Sequence, residues 1–146
     1  GADLIQIFDS WAGVLTEHMF YEFSLNYISK ICNAISSLVP VTIFAKDAHY
    51  AIEEISKTTC SVIGLDWTIN PTIARQQAKH KTLQGNVDPC LLYADEKKII
   101  SETQIMLNAF GKQKYICNLG HGLYPDIDKE KVKFFVDFVK NYNYNL

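Results

Sequence analysis

Short apolar runs of strand length alternate along the chain with longer segments whose apolar residues recur at helical spacing, and the alternation repeats five times. Each apolar run ends in a polar or glycine-rich cluster. The clusters are Phe8-Asp9-Ser10-Trp11-Ala12-Gly13, Phe44-Ala45-Lys46-Asp47, Gly64-Leu65-Asp66-Trp67-Thr68, Leu83-Gln84-Gly85-Asn86 and Asn118-Leu119-Gly120-His121-Gly122. Strand and helix in alternation build parallel sheets, and such sheets carry their chemistry at the carboxyl ends of the strands. The five clusters are therefore expected to share one rim.

Residues 4–8 predict the first strand, followed by a long helix over about residues 16–38 with Phe20, Tyr27, Ile31, Ala34 and Leu38 on one face. Pro40 precedes a nearly continuous apolar strand over residues 41–45, as expected of a buried parallel strand. A short helix over about 48–57 leads to a strand over 61–65. Asn70-Pro71, a capping residue before a proline, opens the next helix. The fourth strand, over 82–84, is the weakest. Asp88-Pro89 repeats the start signal, and a helix over 96–110 carries Ile99, Met106 and Phe110 on one face, with Gly111 as its stop. Residues 115–117 form the fifth strand, and Asp128 opens a last helix with Val132, Phe135, Val136 and Val139 inward. The tail over 141–146 is polar and is expected to fray.

Five such units in 146 residues average roughly 30 residues, so eight would need about 235, near the roughly 250 of a (β/α)8 barrel. An open doubly wound sheet is the alternative, but no glycine-rich phosphate fingerprint follows any strand. No linker or second domain interrupts the pattern.

A net charge of −2 gives no general attraction for nucleic acid or anionic lipid, and any anionic ligand must be held locally. No apolar run approaches bilayer-spanning length. Cys32, Cys60, Cys90 and Cys117 are spread without a C-x-x-C pair, which predicts four reduced, buried thiols rather than a zinc site or a disulfide framework. That usage fits a cytoplasmic protein, or alternatively one of a plastid stroma.

His121 lies between two glycines after a strand, where a ligand can come close. Its imidazole can share a proton with a carboxylate, or simply bond to the backbone of a turn. Ser10 follows the first strand and offers a hydroxyl either to a carboxylate or to a local turn. Lys46 and His49 follow the second strand; Lys46 can attract an acid, and pairing with Asp9 or Asp66 is the expected structural role. Asp66 reads as a network member. The amides of Gln84, Asn86 and Asn118 suit positioning, and His18, Arg75 and His80 fall on helices as solvated groups.

The same clusters, joined by Val87-Asp88-Pro89, Leu92-Tyr93-Ala94 and Leu123-Tyr124-Pro125-Asp126, resemble the carboxyl-terminal part of the uroporphyrinogen decarboxylase family, from Ala2 to about Val139. The resemblance implies the last five strand-helix units of a (β/α)8 TIM barrel, with residues 1–146 as the carboxyl-terminal part of that domain and earlier units absent. It implies cofactor-free removal of carbon dioxide from the four acetate arms of uroporphyrinogen III, giving coproporphyrinogen III in haem biosynthesis. It further implies a homodimer, with no metal, nucleic acid or membrane involved.

Within that family Ser10 and His121 match substrate-binding positions. The arginine-rich motif, the aspartate that accepts from pyrrole N–H groups and the tyrosine have no matching position in this sequence, so no catalytic residue is assigned and the chain alone is expected to be inactive. A non-catalytic, self-associating half-barrel is the alternative. A related branch binds zinc through a His-x-Cys pair after one strand and a later cysteine; here those positions read Phe44-Ala45-Lys46 and His121, which removes the ligands.

Overall fold

The computed structural model describes residues 1–144. Five parallel strands, β1 (Ile5–Asp9), β2 (Val41–Ala45), β3 (Val62–Gly64), β4 (Thr82–Val87) and β5 (Tyr115–Leu119), lie side by side in chain order. The register Phe8↔Phe44↔Gly64↔Gln84↔Ile116 places one residue from every strand in a single layer on the face away from the helices. Gln6, Thr42, Val62 and Thr82 form the layer below it. The opposite face, with Ile43, Ile63 and Leu83 fully buried, packs on the helices and forms the core.

Between β1 and β2 run α1 (Glu17–Phe20), a π turn (Tyr21–Leu25) and α2 (Asn26–Ile35), one continuous helical rod. The remaining helices are α3 (Ile52–Ser56), α4 (Pro71–Gln77), α5 (Glu96–Phe110) and α6 (Lys129–Lys140). The expected starts and stops hold. Asn70 accepts from the backbone N–H groups of Thr72 and Ile73, Asp128 accepts from that of Glu130, and Gly111 ends α5 with φ 74°.

The inward face of the first rod departs from expectation. Phe20 is buried as read, but Tyr27, Ile31, Ala34 and Leu38 are exposed, while Ile28 and Cys32 are buried and Ile35 is half-buried. The π turn is the cause, because one extra residue in the turn rotates everything after it by about 100°. Each inward position beyond it moves one residue along, from Tyr27 to Ile28, from Ile31 to Cys32 and from Ala34 to Ile35.

Other boundaries shift as well. The segment after β2 is a 3-10 turn (His49–Ala51) joined to the short α3, and Asp88-Pro89 opens a 3-10 turn (Pro89–Tyr93), while Asp95 caps α5. β4 runs to Val87, so Gly85 and Asn86 lie within the strand rather than beyond it. Cys32 and Cys60 are buried as expected, Cys117 is half-buried, and Cys90 is exposed at the start of its 3-10 turn. Arg75 is not a solvated group: its guanidinium donates to the carbonyls of Lys81 (2.9 Å) and Lys114 (2.8 Å), tying the starts of β4 and β5, and burial lowers its pKa. Asn145 and Leu146, the end of the polar tail, lie outside the described residues.

Candidate active site at the carboxyl ends of the strands

The five clusters meet at one rim, the carboxyl end of the sheet. A cavity of about 670 Å³ opens there over the inner face. Phe8, Phe44, Gly64 and Gln84 floor it, and Ser10, Asn118 and His121 stand at its edge, with Val132, Phe135 and Val136 of α6 along one side. A second cavity of about 370 Å³ adjoins it, bounded by Ser10, Trp11, Gly13, Val14, Lys46, Asp47 and His121. Ser10 and His121 line both. Residues from the ends of the first and last strands are thus brought together by the curvature of the sheet.

Floor and walls are shaped by glycine. A Cβ on Gly64 would lie 3.0 Å from Phe44 Cδ2, so its absence lets the Phe44 ring lie across β3. Gly120 is closed in more tightly: a Cβ there would come within 2.7 Å of the Trp67 backbone nitrogen. The backbone N–H of Gly120 donates to the carbonyl of Val87 at 2.7 Å, which fixes the loop that carries His121.

Two aromatic rings flank the imidazole. Trp67 meets His121 at 6.4 Å between centroids with planes at 87°, and Phe44 lies at 6.3 Å and 57°. Neither the Ser10 hydroxyl nor the His121 ring donates to or accepts from another group among the described residues. Both side chains are exposed, and both residues line the two cavities.

The neighbouring polar groups are bound into the scaffold. Asp66, buried, accepts from the backbone N–H of Asp47 (2.6 Å) and from the N–H and hydroxyl of Thr68 (2.8 and 2.5 Å), in keeping with its reading as a network member. The side-chain amide of Asn86, also buried, donates to the carbonyls of Asp66 and Ile69, each at 2.9 Å. Asp9 accepts from the Ser24 hydroxyl at 2.5 Å, linking the end of β1 to the π turn. Gln84 donates to Gln6 at 3.3 Å across the sheet floor.

Lys46 pairs with neither Asp9 nor Asp66. Its ammonium donates to the carboxylate of Asp47 and lies 5.5 Å from the centroid of the Trp67 ring. The cause is local: Asp47 has φ 58°, which folds its side chain back beside Lys46, while Asp9 and Asp66 are already taken by hydroxyl and backbone donors. His49 is exposed and packs edge-on against Tyr50, on the outer side of β2.

Sequence reasoning expected Ser10 and His121 at the rim, where both lie, and missed the two rings around the imidazole. Trp67 and Phe44 sit in the rim clusters, but nothing in one strand announces which ring meets a side chain from another. Among the described residues no group of three or more His, Cys, Asp or Glu side chains converges as a metal site.

The family model for uroporphyrinogen decarboxylase matches residues 1–142. Uroporphyrinogen decarboxylase from Ovis aries is 47% identical over 152 residues, covering 98% of this chain and 41% of the sheep protein. The protein of the same name from Salinibacter ruber is 44% identical over 147 residues, covering 98% of this chain and 42% of its own length. A methyltransferase from Methanosarcina mazei superposes with TM-score 0.80 at 20% identity, covering 94% of this chain and 41% of that one, a likeness of fold. The chain thus spans about 41% of the length of the curated relatives it matches. On the family match and on its parallel strand-helix architecture, the chain belongs to the uroporphyrinogen decarboxylase family.

Proposed function

We propose that this chain forms part of an enzyme that decarboxylates the acetate arms of uroporphyrinogen III to give coproporphyrinogen III, and that Ser10 and His121 bind substrate carboxylate. The observation that carries the reading is that these two residues, from opposite ends of the sheet, line the same two cavities at the rim. The Ser10 O–H donates to a carboxylate oxygen, and an N–H of the His121 imidazole donates to a carboxylate oxygen from the other side.

The chemistry is balanced without an outside oxidant. A proton adds to the pyrrole carbon beside the acetate-bearing position, and the C–C bond to the carboxylate breaks. Its electron pair moves into the cationic ring, carbon dioxide leaves, and the methylene takes a proton to become methyl as the ring returns its own. One proton is consumed per arm. We assign the proton donor and the groups that hold the pyrrole N–H to the part of the relatives that this chain does not span. Residues 1–146 are accordingly one portion of a single barrel domain, and the parent protein is a homodimer of the cytosol or a plastid. No helix among the described residues is long and apolar enough to cross a membrane.

The test is a fusion that places the amino-terminal part of the sheep relative ahead of this chain, assayed with uroporphyrinogen III and followed by chromatography of the oxidised products. The fusion is expected to form coproporphyrinogen and the 146-residue chain alone to form none. Ser10→Ala and His121→Ala in the fusion should each raise KM. Product formed at the unaltered KM by both variants would refute their role.

A second reading is a self-associating half-barrel. It is favoured by β1 and β5, each paired on one side only among the described residues, and by the exposed Phe8, Trp11 and Val14 beside the open edge. Light scattering of the chain discriminates, since a discrete dimer supports self-association and a stable monomer opposes it.

A further inference from the structure

We propose that the groove between α4 and α5 is a binding site for a small aromatic cation that donates N–H hydrogen bonds, of the aryl amidine class. Its cavity of about 690 Å³ lies in the size range of small-molecule sites, and no residue lining it lines either cavity of the rim.

The first argument is a buried polar group without a partner. Asn86 is 7% exposed and lines the groove. Its side-chain nitrogen donates to the carbonyls of Asp66 and Ile69, which fixes the amide, because the reverse orientation would set its oxygen against those two carbonyls. The side-chain oxygen accepts from no group among the described residues, and it is not sealed inside the protein either. Buried carbonyls are paired in most folded proteins, and this one meets a cavity, where the missing donor is an N–H from a ligand.

The second argument is charge. Asp88 spends one carboxylate oxygen on the backbone N–H of Cys90 at 2.8 Å, and its other oxygen accepts from no donor among the described residues. Lys98, the one lysine or arginine of the lining, donates to Glu102 at 2.6 Å and is neutralised there. Two carboxylates against one ammonium favour a cation over an anion. Ile69, Leu91, Ile105 and Met106 supply an apolar wall for a ring, and the Trp67 indole supplies an aromatic one. The same indole meets His121, which joins the groove to the rim.

Cys90 makes the site readable. It is exposed and lines the groove, whereas Cys32 and Cys60 are buried and Cys117 is half-buried. The experiment measures alkylation of Cys90 by iodoacetamide in the 146-residue chain, followed by peptide mass, with and without benzamidine. Benzamidine is expected to protect saturably, slowing the reaction roughly tenfold at ten times its dissociation constant. Benzoate, of the same shape and opposite charge, should not protect. Phenyltrimethylammonium, a cation with no N–H, should bind at least about fivefold more weakly than benzamidine. Asp88→Asn keeps the turn cap and removes the charge, and it should weaken benzamidine about tenfold. Lys98→Met frees Glu102 and should tighten binding about twofold.

No protection by benzamidine, equal protection by benzoate, or unchanged affinity in the Asp88→Asn chain would each overturn the site. Equal affinity for phenyltrimethylammonium would remove the part given to the Asn86 carbonyl, and the proposal with it. Alkylation that slows as protein concentration rises, with no additive present, would mean that a second copy covers the groove, which also overturns the proposal. If Asp88→Asn unfolds by circular dichroism, the three probes and Lys98→Met decide, and weaker binding in Lys98→Met counts against the site.

Discussion

The imidazole of His121 and the indole of Trp67 meet edge to face, 6.4 Å between centroids and 87° between planes, although they come from loops after different strands. The contact orients a ring that no hydrogen bond fixes among the described residues. Trp67→Ala in the fusion enzyme should raise KM by about 2- to 10-fold, the worth of one aromatic pair, with kcat less affected. Trp67→Phe should restore most of it. In a His121→Ala background Trp67→Ala should add little; an undiminished effect there would mean that Trp67 acts on something other than the imidazole.

Gly120 has no room for a methyl group. Its Cβ would lie 2.7 Å from the Trp67 nitrogen and 3.0 Å from the Asp66 backbone, none of which is a flexible side-chain end. Gly120→Ala should cost about 1–3 kcal/mol, read as a lower urea midpoint at unchanged slope. Gly122, with nothing within 4 Å of its Cβ position, should accept alanine with little change.

Asn86 holds the loop after β3 through two buried bonds to the carbonyls of Asp66 and Ile69. Asn86→Ala leaves both acceptors without that partner, at a cost of about 1–3 kcal/mol. Asn86→Asp should be worse, because a carboxylate would face two carbonyl oxygens. Chemical denaturation of the two variants orders them, and equal midpoints would contradict the assignment.

The buried thiols predict alkaline instability. Burial first, and the neighbouring Cys60 second, push the Cys32 thiol up to about 11 from 9.0, and burial raises Cys60 as well. The folded state favours the neutral thiol, so this stability is fully present below pH 9.0 and is lost as pH rises through about 11. Unfolding free energy measured across that window should fall, and Cys32→Ala should make the fall shallower even though the variant is less stable throughout.

Much of the architecture is written locally. Asn70-Pro71, Asp128 and Gly111 mark helix ends by side-chain and backbone chemistry that acts within a few residues, and the structure keeps all three. Runs such as residues 41–45 read as buried parallel strand, and the structure keeps them so. Ser10 and His121 were legible because each follows a strand, and every parallel strand of such a sheet ends at the same rim.

What no single element carries is the pairing between elements. The π turn moved the buried face of the first rod by one residue, because Ser24 within it reaches Asp9 at the end of β1. Lys46 took Asp47 rather than Asp9 or Asp66, because those carboxylates already accept from Ser24 and from Asp47 and Thr68. Arg75 became a clamp on two strand starts, because the fold brings the carbonyls of Lys81 and Lys114 within reach of its guanidinium. The sequence by itself determined the order of strands and helices, the family and the position of Ser10 and His121 at the rim, since these depend on short-range patterns. Only the tertiary structure decided which polar groups are spent on the scaffold and which stay unpaired at the rim among the described residues, because hydrogen-bond partners far apart in the chain are chosen when the sheet brings them within reach.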